Sequence, residues 1–127
     1  MTTVALDTNA LMMPVELDVR LFDELDRLLT GYEPVAPQAV AEELRKLSDT
    51  GGEEGIAASV GHDLATDRCL LLHTEESYAD DAIVELAREG TVDYVVTNDK
   101  PLKDRVLDAG VPVIGLRGKN KLAVTQP

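Results

Sequence analysis

The chain has 127 residues, a length that suits one domain around one core, and 44% of them are hydrophobic although only one Phe and three Tyr occur. Twelve Lys+Arg against 24 Asp+Glu give a net charge of −12 and a pI near 4.4, the opposite of the basic surface with which nucleic-acid binders hold a phosphate backbone. No apolar run is long enough to cross a membrane, no basic-then-apolar leader opens the chain, and the single cysteine, Cys69, has no internal partner, which excludes a disulfide scaffold and predicts a cytoplasmic protein without a membrane role.

The elements alternate along the chain. "TVALD" (3–7) reads as a short buried strand. Leu17, Leu21, Leu25, Leu28 and Leu29 fall at helical spacing and Gly31 closes them, predicting a helix over 17–29. "PVAP" (34–37) is an extended piece, and Val40, Leu44 and Leu47 mark a helix over 39–47. After the turn "DTGGEEG" (49–55) come a helix around 56–66, a strand "CLLLH" (69–73), and a helix from 78 to 89 ended by Gly90. "YVVT" (94–97) is a strand, 101–109 a helix closed by Gly110, and "VPVIGL" (111–116) the last strand. Strands alternating with helices of this length predict an α/β fold, a three-layer α/β/α sandwich with a central parallel sheet. Residues 1–117 form its single domain and 118–127 a short C-terminal tail.

The ligand crevice of such a sheet lies beyond the carboxyl ends of its strands, and Asp7 and Asp99 stand at two such ends. Helices supply further acids. At about 100° per residue, Glu43 falls within the apolar stripe of Val40, Leu44 and Leu47, where a carboxylate is costly unless something pairs with it; Glu42 points away. In "SYADDAIVELA" Asp80 lies beside the inner face set by Ala79, Ile83, Leu86 and Ala87, and Asp81 well off it. The bland reading of both is first-turn helix chemistry after Ser77.

If Asp7, Glu43, Asp80 and Asp99 converge, their repulsion calls for a cation. All-oxygen ligation without His or Cys suits Mg²⁺ or Mn²⁺, and such sites hydrolyse phosphodiesters. Asn9, Thr97 and Asn98 are placed to orient the carboxylates. Neither phosphate-cradling glycine motif occurs, nor G-x-S-x-G, and His62 and His73 have no ligand-like spacing to Cys69.

"LDTNALM" (6–12), "AEELRKL" (41–47), "YADDAIVELA" (78–87) and "VVTNDKPLKDRV" (95–106), in this order and spacing, resemble a PIN domain over essentially the whole chain. "YADD", "TNDKPLK" and "VIGLRGKNKL" (113–122) are most similar to the branch that holds the small-subunit processome nuclease and small archaeal relatives, some called VapC-like toxins. The resemblance implies a metal-dependent endoribonuclease that acts in ribosomal RNA processing or as a toxin. Its acids carry over to Asp7, Glu43, one of the Asp80–Asp81 pair, and Asp99; the stripe favours Asp80, while "DAIV" from Asp81 also fits the toxin pattern. All five are candidate ligands of Mg²⁺ or Mn²⁺.

The implied partners are RNA, an antitoxin or a ribosome-assembly factor, and a second copy of the chain. Residues 1–99 carry six Lys+Arg and 22 acids, whereas residues 100–127 carry six and two, so RNA contact falls to Lys100, Lys103, Arg105, Arg117, Lys119 and Lys121. Asp outnumbers Glu 13 to 11 and Lys numbers only five, which fits the acidic proteome of a halophilic archaeon. The alternative is a PIN-fold module that binds RNA or protein without cleaving. A receiver domain would require an Asp ending a middle strand, and a haloacid-type phosphatase D-x-D where this chain has D-T-N.

Overall fold

A computed structural model describes residues 1–127. In chain order its elements are β1 (Thr2–Leu6), α1 (Thr8–Glu16), α2 (Leu21–Leu28), β2 (Tyr32–Pro37), α3 (Gln38–Leu47), α4 (Gly52–Arg68), β3 (Leu70–Leu72), α5 (Ala79–Arg88), β4 (Tyr94–Val96), α6 (Lys100–Asp108), β5 (Val113–Arg117) and β6 (Lys121–Thr125). One six-stranded sheet runs in the order β3-β2-β1-β4-β5-β6. Its first five strands are parallel, as expected, and β6 is antiparallel to β5.

Val4, Ala5 and Leu6 of β1 are wholly buried, because a central parallel strand is covered by helices on both faces and so reads as an unbroken apolar run. From β1 the chain steps outward through β2 to β3, then returns past β1 to β4 and β5. With right-handed crossovers, the connections on the two sides of β1 lie on opposite faces, and the crevice opens where they part, between β1 and β4.

Two expectations need correction. The helix expected over 17–29 is the shorter α2, and a helix that was not expected, α1, precedes it, with Asp18 at φ 52° breaking the path between them. α1 shows no amphipathic period because Ala10, Leu11, Met12 and Met13 are all buried, and Pro14 inside it speaks locally against a helix. It packs on α4 so closely that a Cβ on Gly61 would meet the Leu11 carbonyl at 2.8 Å. The second correction concerns 118–127, expected as a tail. Gly118, at φ 72°, turns the chain so that Lys121 pairs with Arg117 and β6 closes the sheet edge.

Side chains from α2 finish that edge. The Leu122 N–H donates to Glu24 Oε1 at 2.9 Å, and the Leu122 carbonyl accepts from Arg27 Nη2 at 2.8 Å. The Glu24–Arg27 pair, itself bonded at 2.9 Å, thus presents an acceptor and a donor to the outward-facing peptide groups of β6, as a neighbouring strand would.

Candidate functional site at the carboxyl ends of β1 and β4

β1 and β4 each end in an aspartate that turns the chain into a helix. Asp7 caps α1, its Oδ1 accepting the Ala10 N–H at 2.7 Å. Asp99 caps α6, its Oδ1 accepting the Leu102 N–H at 3.0 Å. The strand-then-Asp pattern therefore has a local cause, since an Asp N-cap satisfies orphan donors of the first helical turn. Neighbouring strands make it a shared feature: Leu6 pairs with Val96, and the Asp7 N–H donates to the Val96 carbonyl at 3.3 Å.

Thr97 connects the two acids. Its buried hydroxyl donates to Asp7 Oδ2 and accepts the Asp99 N–H at 3.0 Å. Asp7 is only 3% exposed. Burial pushes its pKa from 3.8 up to about 7 against the hydrogen bonds from Thr97 and Ala10, and the charges of Asp80 and Asp99 push the same way. Asp80, in the first turn of α5, is half-buried. Burial raises its pKa too, followed by the charges of Asp99 and Glu43, while Arg105 opposes the shift. Glu43 is half-buried on α3 and Glu42 exposed.

Asp7 thus lies within reach of the charges of Asp80 and Asp99, and Asp80 within reach of those of Asp99 and Glu43. Asp81 pairs with Arg105 at 3.0 Å, beside Asp80. As they stand, no three acidic, His or Cys side chains close on a common point tightly enough to grip an ion. The donor chemistry nevertheless fits a hard cation: every group is a carboxylate, and a buried acid with acidic neighbours is held near neutrality for want of a positive partner. The D-T-N run adds a group not singled out from the sequence. The Thr8 hydroxyl oxygen, next to Asp7, is shielded from solvent without a hydrogen-bond partner. Its signal was its place between Asp7 and Asn9.

Of the three residues expected to orient carboxylates, only Thr97 touches one. Asn9 Oδ1 accepts the Asn98 N–H at 3.1 Å, and Asn98 Oδ1 accepts the Leu116 N–H at 2.9 Å. The two amides instead tie together the ends of β1, β4 and β5. Asn98 supplies one more rung where β5 continues past the end of β4, since main-chain pairing stops at Val96 and Ile114.

The cations divide into two groups. Lys100, Lys103 and Arg105 lie on α6, where Lys100 pairs with Asp104 at 3.2 Å. Arg117, Lys119 and Lys121 lie on the β5–β6 hairpin, where Lys121 stands 3.7 Å from Glu24. Burial raises the Cys69 thiol to about 11, which leaves it unreactive.

Residues 4–119 match the family model described as PIN like domain. The chain is 32% identical over 117 residues to ribonuclease VapC4 of Methanocaldococcus jannaschii, covering 89% of this chain and 88% of that one. It is 31% identical over 115 residues to the rRNA-processing protein fcf1 of Schizosaccharomyces pombe, but spans only 58% of that protein's length. Among solved structures, the PIN domain endonuclease Utp24 superposes with a TM-score of 0.79 at 30% identity, covering 98% of this chain and 92% of that one. A domain of a functionally unknown Methanocaldococcus jannaschii protein shares the fold, with a TM-score of 0.69 at 17% identity over 95% of each chain.

Proposed function

The chain belongs to the PIN-like domain family, and from that premise we propose that it is a Mg²⁺- or Mn²⁺-dependent endoribonuclease. The observation that carries this reading is Asp7, buried where β1 and β4 end and raised toward neutrality beside Asp80 and Asp99. Asp7, Glu43, Asp80 and Asp99 are the groups that would hold the cation. When bound, it would activate a water for attack on the RNA phosphodiester and steady the leaving oxygen. The chain's own groups prepare the site. The Ala10 and Leu102 N–H groups hold one oxygen each of Asp7 and Asp99, and Thr97 holds the second oxygen of Asp7. Arg105 keeps Asp81 paired, which favours Asp80 for the third acidic role.

The relatives carry both a toxin-type and an rRNA-processing name. We place this chain with RNA as substrate and with an antitoxin or an assembly factor as partner. A second reading, a PIN-fold module that binds without cleaving, draws support from the lack of three side chains closed on one point. The deciding experiment is RNA cleavage in molar KCl with Mn²⁺, using a ribosomal RNA fragment and an unstructured RNA side by side. Discrete cuts that both EDTA and Asp80→Asn abolish are expected, a loss of at least 100-fold for the variant. A preference for the ribosomal fragment marks a processing role. Folded protein that binds both RNAs and cuts neither establishes the second reading.

A further inference from the structure

Four of the twelve Lys and Arg residues of this very acidic chain, Arg27, Arg117, Lys119 and Lys121, come from α2 and the β5–β6 hairpin. Three of them, Arg27, Arg117 and Lys121, line an open groove of about 560 Å³ whose remaining walls include Leu28, Leu122 and Val124. Glu24 is the only acid bonded to any of these three, through Arg27 and Lys121, and Arg117 has no ion-pair partner. Being cross-strand partners, Arg117 and Lys121 share a face of the hairpin.

One end of the groove, at Arg117 and Lys121, lies on the sheet edge that carries the candidate site. β5 is parallel to β4 and runs past its end, so Arg117 stands beyond the same sheet edge as Asp99. Two strand spacings, about 10 Å, separate β6 from β4. Asn98, immediately before Asp99, holds the Leu116 N–H and so joins the overhanging part of β5 to the loop that carries Asp99.

We propose that this groove, walled by Arg27, Arg117 and Lys121, takes the single-stranded RNA that flanks the cleaved bond. The inference rests on the ribonuclease reading and adds the path of the substrate. A chain of net charge −12 repels RNA except where cations gather, and Arg117 brings this group to the sheet edge that carries Asp99. A peptide strand is the poorer occupant, because the outward N–H and C=O of Leu122 are already taken by Glu24 and Arg27. A phosphodiester backbone needs no main-chain partner. The aliphatic floor offers no aromatic ring for base stacking, so binding through this groove depends on backbone charge and not on base identity.

The test measures binding of a short unstructured RNA, in EDTA, across a range of KCl concentrations, for wild type, Arg117→Gln, Leu28→Glu and Arg88→Gln; cleavage with Mn²⁺ follows on the same proteins. Arg88, at the far end of α5, is the charge-matched control. Arg117→Gln should weaken binding 3- to 10-fold at low salt and flatten the slope of log affinity against log salt by about 0.7, the value for one lost single-strand phosphate contact. It should raise KM and leave kcat within twofold. Leu28→Glu, its folding checked by thermal melting, should weaken binding further, while Arg88→Gln behaves as wild type. RNA that binds and loses affinity in Arg117→Gln, but is never cut, upholds the groove and overturns the nuclease. Cutting by the wild type with KM and salt slope unchanged in Arg117→Gln overturns the groove alone. A wild type that binds no RNA overturns both. Displacement of RNA by a poly-glutamate peptide that binds more tightly, again through Arg117, reassigns the groove to an acidic protein segment and overturns the RNA path.

Discussion

Near pH 7 the Asp7 carboxyl is close to half-protonated, because burial raises its pKa to about 7 from 3.8. A carboxyl whose pKa is higher folded than unfolded favours the fold below the unfolded value, and that favour is lost as pH rises through the folded one. The protein free of divalent ions should therefore become less stable between about pH 4 and pH 7. Asp7→Asn removes the charge and keeps an acceptor for the Ala10 N–H. In EDTA at pH 8 it should melt about 3–8 °C above wild type, while cleavage with Mn²⁺ is abolished. An unchanged or lower melting temperature would mean that the ionised carboxylate is better satisfied than its surroundings indicate. Much at this scale was readable in the sequence. The apolar stripe separated Glu43, half-buried, from Glu42, exposed, because helical period decides which side chain faces inward; it did not separate Asp80 from Asp81, both half-buried in the first turn of α5. The roles of Asn9 and Asn98 were not readable, because their partners are main-chain groups of other strands.

Among the elements, β6 depends most on one side chain. Glu24 is 6% exposed, and the hydrogen bonds from Arg27 and the Leu122 N–H hold its carboxyl at about 2, below its usual 4.5. A carboxyl with a lowered folded pKa contributes stability above the unfolded value and loses it as pH falls through the folded one. The β6 edge should therefore hold at pH 5 and loosen between about pH 4.5 and pH 2. Glu24→Gln should give up part of that stability at every pH above 5, about 1–3 kcal/mol, and hydrogen exchange should speed up first at Leu122 and the groups around it. Uniform protection across β6 in the variant would show that the strand is held by its pairing with β5 alone. Such a strand is hard to see locally. Lys121–Thr125 alternates only weakly, and what makes it a strand is β5 on one side and α2 on the other. The same holds for α1, whose residues are buried all round and so carry no helical period.

For the molecule as a whole the governing quantity is the charge of −12. Self-repulsion at that level opposes compaction, and its range shrinks from about 10 Å at 0.1 M salt to about 3 Å at 1 M. The melting temperature should rise by several degrees between 0.1 M and 2 M KCl, and RNA cleavage at low salt should be limited by unfolding. A flat dependence on KCl would show that the acids are already balanced locally and would remove the case for salt adaptation. The layer architecture at this scale was legible, because buried parallel strands and half-buried helices leave different apolar periods in the chain.

Short-range periodicity and the capping chemistry of Asp were enough to make the chain α/β, to end its strands in acids and to turn Glu43 inward. That β1 and β4 are neighbours, so that Thr97 can join Asp7 to Asp99, emerges only in the folded chain. So do the pairing of Asp81 with Arg105 and the folding back of the last residues as β6 beside Arg27 of α2. The Thr97–Asp7 and Glu24–Leu122 contacts join residues 90 and 98 positions apart, and no local pattern encodes a partner that far away.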